Sequence, residues 1–147
     1  MYGKPNAIAS YGRIANAESD PVQQVVMLYD GAIKFVRLAA EDIRDKKIAE
    51  KAEHVNRALD IINYLQGILD FERATEVAQT LDNLYTVVSM QILQASAKLD
   101  SELMLKAADL LLPVRESWDV VARSVQKEPM PAGAIAGEHR RLGHLMG

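Results

Sequence analysis

The chain has 147 residues, 49% of them apolar and 25% charged, with a formal net charge of −3; these are the proportions of one globular domain with a real core. The mild acidity supplies no basic stripe for a nucleic acid. The absence of cysteine excludes disulfides, thiol chemistry and Cys-ligated zinc. No run approaches 18 continuous apolar residues, and the first 21 residues lack the apolar stretch of a signal peptide, so membrane insertion is not expected and the expected location is the cytoplasm.

Residues 1–19 are rich in turn formers and carry isolated apolar groups at Ile8, Tyr11 and Ile14. They predict an irregular N-terminal arm. Asp20-Pro21-Val22-Gln23 is a helix start: Asp20 suits the cap, Pro21 the first position, and Gln23 completes a capping box. From there Val22, Val26, Tyr29, Ile33, Val36, Ala40 and Ile43 recur at spacings of four and three. A second stripe (Val25, Leu28, Ala32, Phe35, Ala39) runs beside it. A helix apolar over two adjoining stripes packs against two neighbours, as in a bundle. Gly31 stands inside this helix, where glycine costs roughly 1 kcal/mol relative to alanine, and close approach of another group is the expected compensation.

Asp45-Lys46-Lys47 is the first connection. Helix 2 is expected from Ile48 to about Phe71, on Ile48, Ala52, Val55, Leu59, Ile62, Gln66 and Leu69, with Ala58, Ile61, Leu65 and Ile68 as its second stripe. Thr75 is the expected cap of helix 3, whose stripe is Val77, Leu81, Leu84, Val88, Ile92, Ala95 and Leu99. Asp100 or Ser101 caps helix 4, with Leu103, Ala107, Leu110, Val114, Trp118, Val121 and Val125 in phase. Pro113 falls mid-helix, where a kink is expected. After Gln126 the pattern dissolves into a segment with four glycines and two prolines, read as a flexible tail over 126–147. Four segments of about 24 residues, each about 36 Å long, with short connections, predict an all-α, antiparallel up-down four-helix bundle over 20–125.

Chemistry is sparse. His54 lacks the Glu-x-x-His spacing of a bundle di-iron site, because the residue three before it is Lys51. As a phosphoacceptor it lacks the lysine-glycine that follows the histidine in histidine phosphotransfer bundles, so a solvated histidine is the simpler expectation. Glu41 and Asp42 are assigned to solvated faces. No metal, cofactor or catalytic residue is expected.

The informative feature is missing charge. Asn83 to Ala97 contains no Asp, Glu, Lys or Arg. At about 100° per residue, Leu84, Val88, Ile92 and Ala95 face the core, and Thr86, Ser89, Met90, Leu93 and Ala97 lie opposite. Ile61 to Leu69 is also uncharged, with Asn63, Tyr64 and Gly67 outward, as is Pro21 to Tyr29. Such patches mark interaction sites. A groove for a partner helix, with Met90 and Leu93 as adaptable anchors, and a homodimer face are the two readings. The free protein is expected to be a monomer or a weak homodimer.

Met27-Leu28-Tyr29-Asp30-Gly31-Ala32 resembles the signature of the flagellar export chaperone family FliS. Ser19-Asp20-Pro21 before Val25-Val26 is similar to the family's Ala-Ser-Pro opening, with Asp20 in place of serine. Arg57-Ala58 with Ile61-Ile62 and Leu65, then Glu76-Val77-Ala78 with Leu81, Leu84 and Tyr85, then Leu110-Leu111 with Arg115 and Trp118, resemble later family motifs in order. Ala74-Thr75 replaces the family's paired glycines, and Pro113 departs from its regular fourth helix. The resemblance implies a non-enzymatic chaperone that binds the disordered C-terminal segment of flagellin, prevents premature polymerisation, and serves delivery to a component of the flagellar type III export gate. It implies a partner surface on helices 2 and 3 (Tyr64, Gly67, Thr86, Ser89, Met90, Leu93, Ala97), which the arm (Ile8, Tyr11, Ile14) covers in the free protein.

Overall fold

The computed structural model describes residues 21–127, and the side chains of residues 125–127 lie outside the description. Four helices make up this part: α1 (Pro21–Arg44), α2 (Ile48–Gly67), α3 (Thr75–Lys98) and α4 (Ser101–Lys127). They pack antiparallel, each beside its neighbours in sequence, with α4 closing back against α1. The expected cap Asp20 and the arm residues Ile8, Tyr11 and Ile14 lie outside the described residues, as does the segment 128–147.

α1 is the central helix. Fifteen of its 24 residues are buried, against five of the 24 in α3. Its two adjoining stripes produce this, because one turns toward α2 and the other toward α4. Ala32, Ala39 and Ala40 are fully enclosed, Gly31 is buried beside them, and Ala58 of α2 with Ala107 and Ala108 of α4 are equally enclosed. Small residues at these positions let helix axes approach closely. One main cluster, with Tyr29, Tyr85, Leu28, Ile61, Ile62, Leu65, Ile92, Met104 and Leu111 among its members, fills the bundle. A second forms at one end from Val22 and Val26 of α1 and Ala122 of α4, and Trp118 packs against both.

The ends of the elements differ from the sequence expectation. α2 stops at Gly67 instead of Phe71. The Asp70 side chain accepts hydrogen bonds from the backbone N–H groups of Glu72 and Arg73, at 3.1 Å each, and organises a turn in place of further helix. Thr75 does not cap α3: Ala74 holds the cap position without a side-chain hydrogen bond, and the Thr75 hydroxyl donates back to the Phe71 carbonyl at 2.5 Å. Asp100 does cap α4, accepting from the Leu103 N–H at 3.0 Å.

Several stripe residues are exposed: Ile48, Val77 and Leu99 near helix ends, and Leu110 and Val121 inside α4, where Met104, Leu111 and Ala122 are enclosed instead. Ala52, also on the expected stripe of helix 2, is exposed too. Leu99 has a physical reason. Its backbone is left-handed (φ 55°) and ends α3, with the Asp100 N–H bonding the Ala95 carbonyl at 2.9 Å, so its side chain leaves the stripe.

α4 runs unbroken through Pro113. The ring lies on the exposed side of the helix, so the hydrogen bond it removes belongs to the solvent face. Replacing it with alanine restores an N–H donor and removes a residue about 3 kcal/mol unfavourable in a helix interior, offset by the greater freedom of the unfolded chain. Pro113→Ala is therefore expected to raise stability by about 1–2 kcal/mol; an unchanged or lower urea midpoint would contradict this.

Candidate partner-binding surface

The residues of the sequence signature converge, but inward. The Tyr29 hydroxyl of α1 meets the Tyr85 hydroxyl of α3 at 2.6 Å, across the buried middle of the bundle, and the two rings lie 6.2 Å apart and tilted. Burial pushes Tyr29 up to about 12, with Tyr85 and Trp118 as hydrogen-bonding neighbours acting in the other direction. Next to it on α1, Asp30 receives two hydrogen bonds from Arg115 of α4, Nε to Oδ1 at 2.8 Å and Nη2 to Oδ2 at 3.3 Å. Arg115 also bonds Glu116 at 2.9 Å and lies 3.8 Å from Asp119. These bonds hold the guanidinium firmly protonated. The forked geometry sets the register of α1 on α4, although an exposed pair of this kind adds little stability. Leu28 and Ala32 are core, Met27 is partly buried and Trp118 bridges the two clusters. The signature thus builds the scaffold.

His54 is not a solvated histidine, and Asp42 is not on a solvated face. Asp42 is buried, and its Oδ2 lies 2.5 Å from His54 Nδ1. The imidazole also stacks on Phe35, centroids 6.0 Å apart, and Arg57 stands 5.7 Å over the same ring. This arrangement fastens α2 to α1. Sequence reasoning missed it because residues 42 and 54 belong to different helices, and each is polar enough to read as surface. Among the described residues no cluster of three His, Asp or Glu could hold a metal ion.

The outward-facing candidates lie on α3. Val87, Met90 and Leu93 are 53%, 57% and 54% exposed, and Thr86 and Ala97 are exposed beside them. Val87 is absent from the residues expected for this surface. Its signal was its place in the charge-free stretch, three residues before Met90. Ser89 sits lower, and its Oγ is buried without a hydrogen-bond partner.

α3 is held to α2 by two polar contacts that the apolar pattern does not announce. Gln66 donates to the Asp82 carbonyl at 3.3 Å, to Asp82 Oδ1 at 2.8 Å and to Thr86 Oγ1 at 3.1 Å. Lys51 donates to the Ser96 carbonyl at 3.2 Å and to its hydroxyl at 3.0 Å. Thr86 therefore stands at the seam between α2 and α3.

The two α2 candidates lie differently. Gly67 is exposed, and a Cβ there would meet open space, so nothing inside the bundle requires a glycine. Tyr64 follows Arg57 by seven residues, two turns along the face that meets Phe35 of α1. It packs against the main core; burial pushes its hydroxyl up to about 12, and that oxygen has no partner. Tyr64 thus packs inward instead of standing out from α2.

Among the described helices none is long and apolar enough to cross a membrane. A sequence profile of the family described as "Flagellar protein FliS" matches residues 4–125. The chain is 27% identical over 131 residues to the flagellar secretion chaperone FliS of Bacillus subtilis, covering 89% of this chain and 97% of that protein. It is 28% identical to the flagellar secretion chaperone FliS of Salmonella typhimurium, over 80% of this chain and 90% of that one. Against the flagellar secretion chaperone FliS of Vibrio cholerae the identity is 30%, over 70% and 76%.

Proposed function

The chain belongs to the FliS family of flagellar secretion chaperones, which are not enzymes, and from that premise we propose that it binds the C-terminal segment of flagellin in the cytoplasm. Bound there, the segment is kept from premature polymerisation and is supplied to the flagellar export gate. The observation that carries this reading is the outer face of α3, where Val87, Met90 and Leu93 stand more than half exposed in a stretch without charge. An apolar strip of this width fits one face of an amphipathic helix. A disordered segment loses ordering entropy as it folds, so it needs such a surface to offset that loss. Thr86, Ser89, Ala97 and Gly67 are the further residues of the proposed surface, and reversible covering of it by the arm (Ile8, Tyr11, Ile14) in the free protein belongs to the same proposal.

Calorimetric titration with the C-terminal segment of the cognate flagellin is the test. One-to-one binding with a strongly negative heat-capacity change is expected. Leu93→Asp should weaken that binding by about tenfold or more, since a carboxylate must then be desolvated, while changing stability by less than about 0.5 kcal/mol, as at other exposed positions. Wild-type affinity in Leu93→Asp would remove this face from the interaction. The same exposed strip also favours self-association as a second reading. A monomer mass that does not change with concentration in light scattering would eliminate it.

A further inference from the structure

We infer that Met90 is an oxidation site through which peroxide switches the partner surface off, an inference that rests on the reading of α3 above. Three methionines occur among the described residues, and the fold treats them differently. Met104 is wholly enclosed in the core, Met27 is partly buried in α1, and Met90 is 57% exposed. With no cysteine in the chain, no thiol competes for oxidant, and thioethers are the sulfur groups open to two-electron oxidation. Met90 lies between Val87 and Leu93, so its sulfur sits in the middle of the strip that a partner helix would cover.

The step is an oxygen transfer from hydrogen peroxide or an organic peroxide. The thioether sulfur attacks one peroxide oxygen, the O–O bond breaks and an S–O bond forms. The proton of the transferred hydroxyl passes to the departing hydroxide, or alkoxide for the organic peroxide, which leaves as water or alcohol. Sulfur gives up two electrons, which the peroxide gains. The product, methionine sulfoxide, is polar, chiral and a strong hydrogen-bond acceptor. Val87 and Leu93 offer that oxygen no donor, so a helix seated on the strip would bury it unpaired. The core is untouched, since Met90 is not among the residues that form it. The change is reversible by methionine sulfoxide reductases, so the surface could be silenced without loss of the protein.

The experiment treats the full-length chaperone with hydrogen peroxide to partial oxidation and destroys the excess with catalase. The chaperone is then mixed with a limiting amount of the untreated flagellin C-terminal segment. Bound and unbound chaperone are separated and mapped by mass spectrometry. Met90 sulfoxide should form well ahead of Met104 sulfoxide. It should be depleted in the bound fraction by about tenfold, the order expected when a polar group is buried without a partner, while Met27 sulfoxide partitions evenly. Met90→Leu, measured against its own untreated affinity, should lose none of it through the same treatment. Even partition of Met90 sulfoxide would overturn the inference, as would an equal loss of affinity in oxidised Met90→Leu. If the untreated protein fails to bind the segment, the partner reading itself falls and takes this inference with it.

Discussion

Tyr29→Ala is expected to lower the unfolding free energy by about 3–5 kcal/mol, the range for removing a large aromatic side chain from a packed core. Against a total of about 5–15 kcal/mol for a domain, a loss of that size leaves the bundle marginal. Tyr29 is fully enclosed, belongs to the main cluster, and shares its hydroxyl with Tyr85. Removing it opens a cavity and also strips the Tyr85 oxygen of that bond. The two effects separate in a double-mutant cycle. Tyr29→Phe and Tyr85→Phe should each cost about 1–2 kcal/mol, because each takes one hydrogen bond from a buried hydroxyl, whereas the double variant should cost less than the sum. Strict additivity in urea denaturation would show that the 2.6 Å contact contributes nothing.

The same hydroxyl gives a pH signature. Burial raises Tyr29 to about 12, while an unfolded tyrosine ionises near 10. The native state therefore keeps a proton that the unfolded state releases. The associated stability is complete below pH 10 and is lost as pH rises toward 12, amounting to about 2–3 kcal/mol for this group. Tyr29→Phe should flatten that alkaline loss.

The second large effect is expected at Trp118. Its indole packs against the main cluster and against the small one made by Val22, Val26 and Ala122. Trp118→Ala should cost about 3 kcal/mol, at the low end of the core range because the ring is only partly buried. Loss of the bridge should also detach the first turns of α1 from the last turns of α4, so a probe in that end should melt before the rest. A change under about 1 kcal/mol would mean that the ring covers the core without filling it.

The four helices were legible because the apolar spacing stays in phase for long stretches, and the outward side of α3 because fifteen successive residues there carry no charge. What escaped the sequence has local or long-range causes. Asp70 arrests α2 through its own side chain, which no periodicity shows. Leu99 keeps the stripe spacing yet leaves the stripe because its backbone turns left-handed. The Asp42–His54 pair and the Gln66 contacts join separate helices, and polar residues on one-quarter-charged helices give no sign of their partners. The inward packing of Tyr64 was not legible because an uncharged run marks a stretch of helix without telling which of its sides a neighbour covers.

The uneven burial of α1 and α3 has a consequence for motion. Of the four helices α3 packs least extensively against its neighbours, and it has five enclosed residues where α1 has fifteen, so backbone amides of α3 should exchange with solvent through local excursions that leave α1, α2 and α4 closed. The helix that presents the exposed strip is then also the most weakly anchored. A segment laid over it would act as a missing layer of core, damping those excursions by mass action.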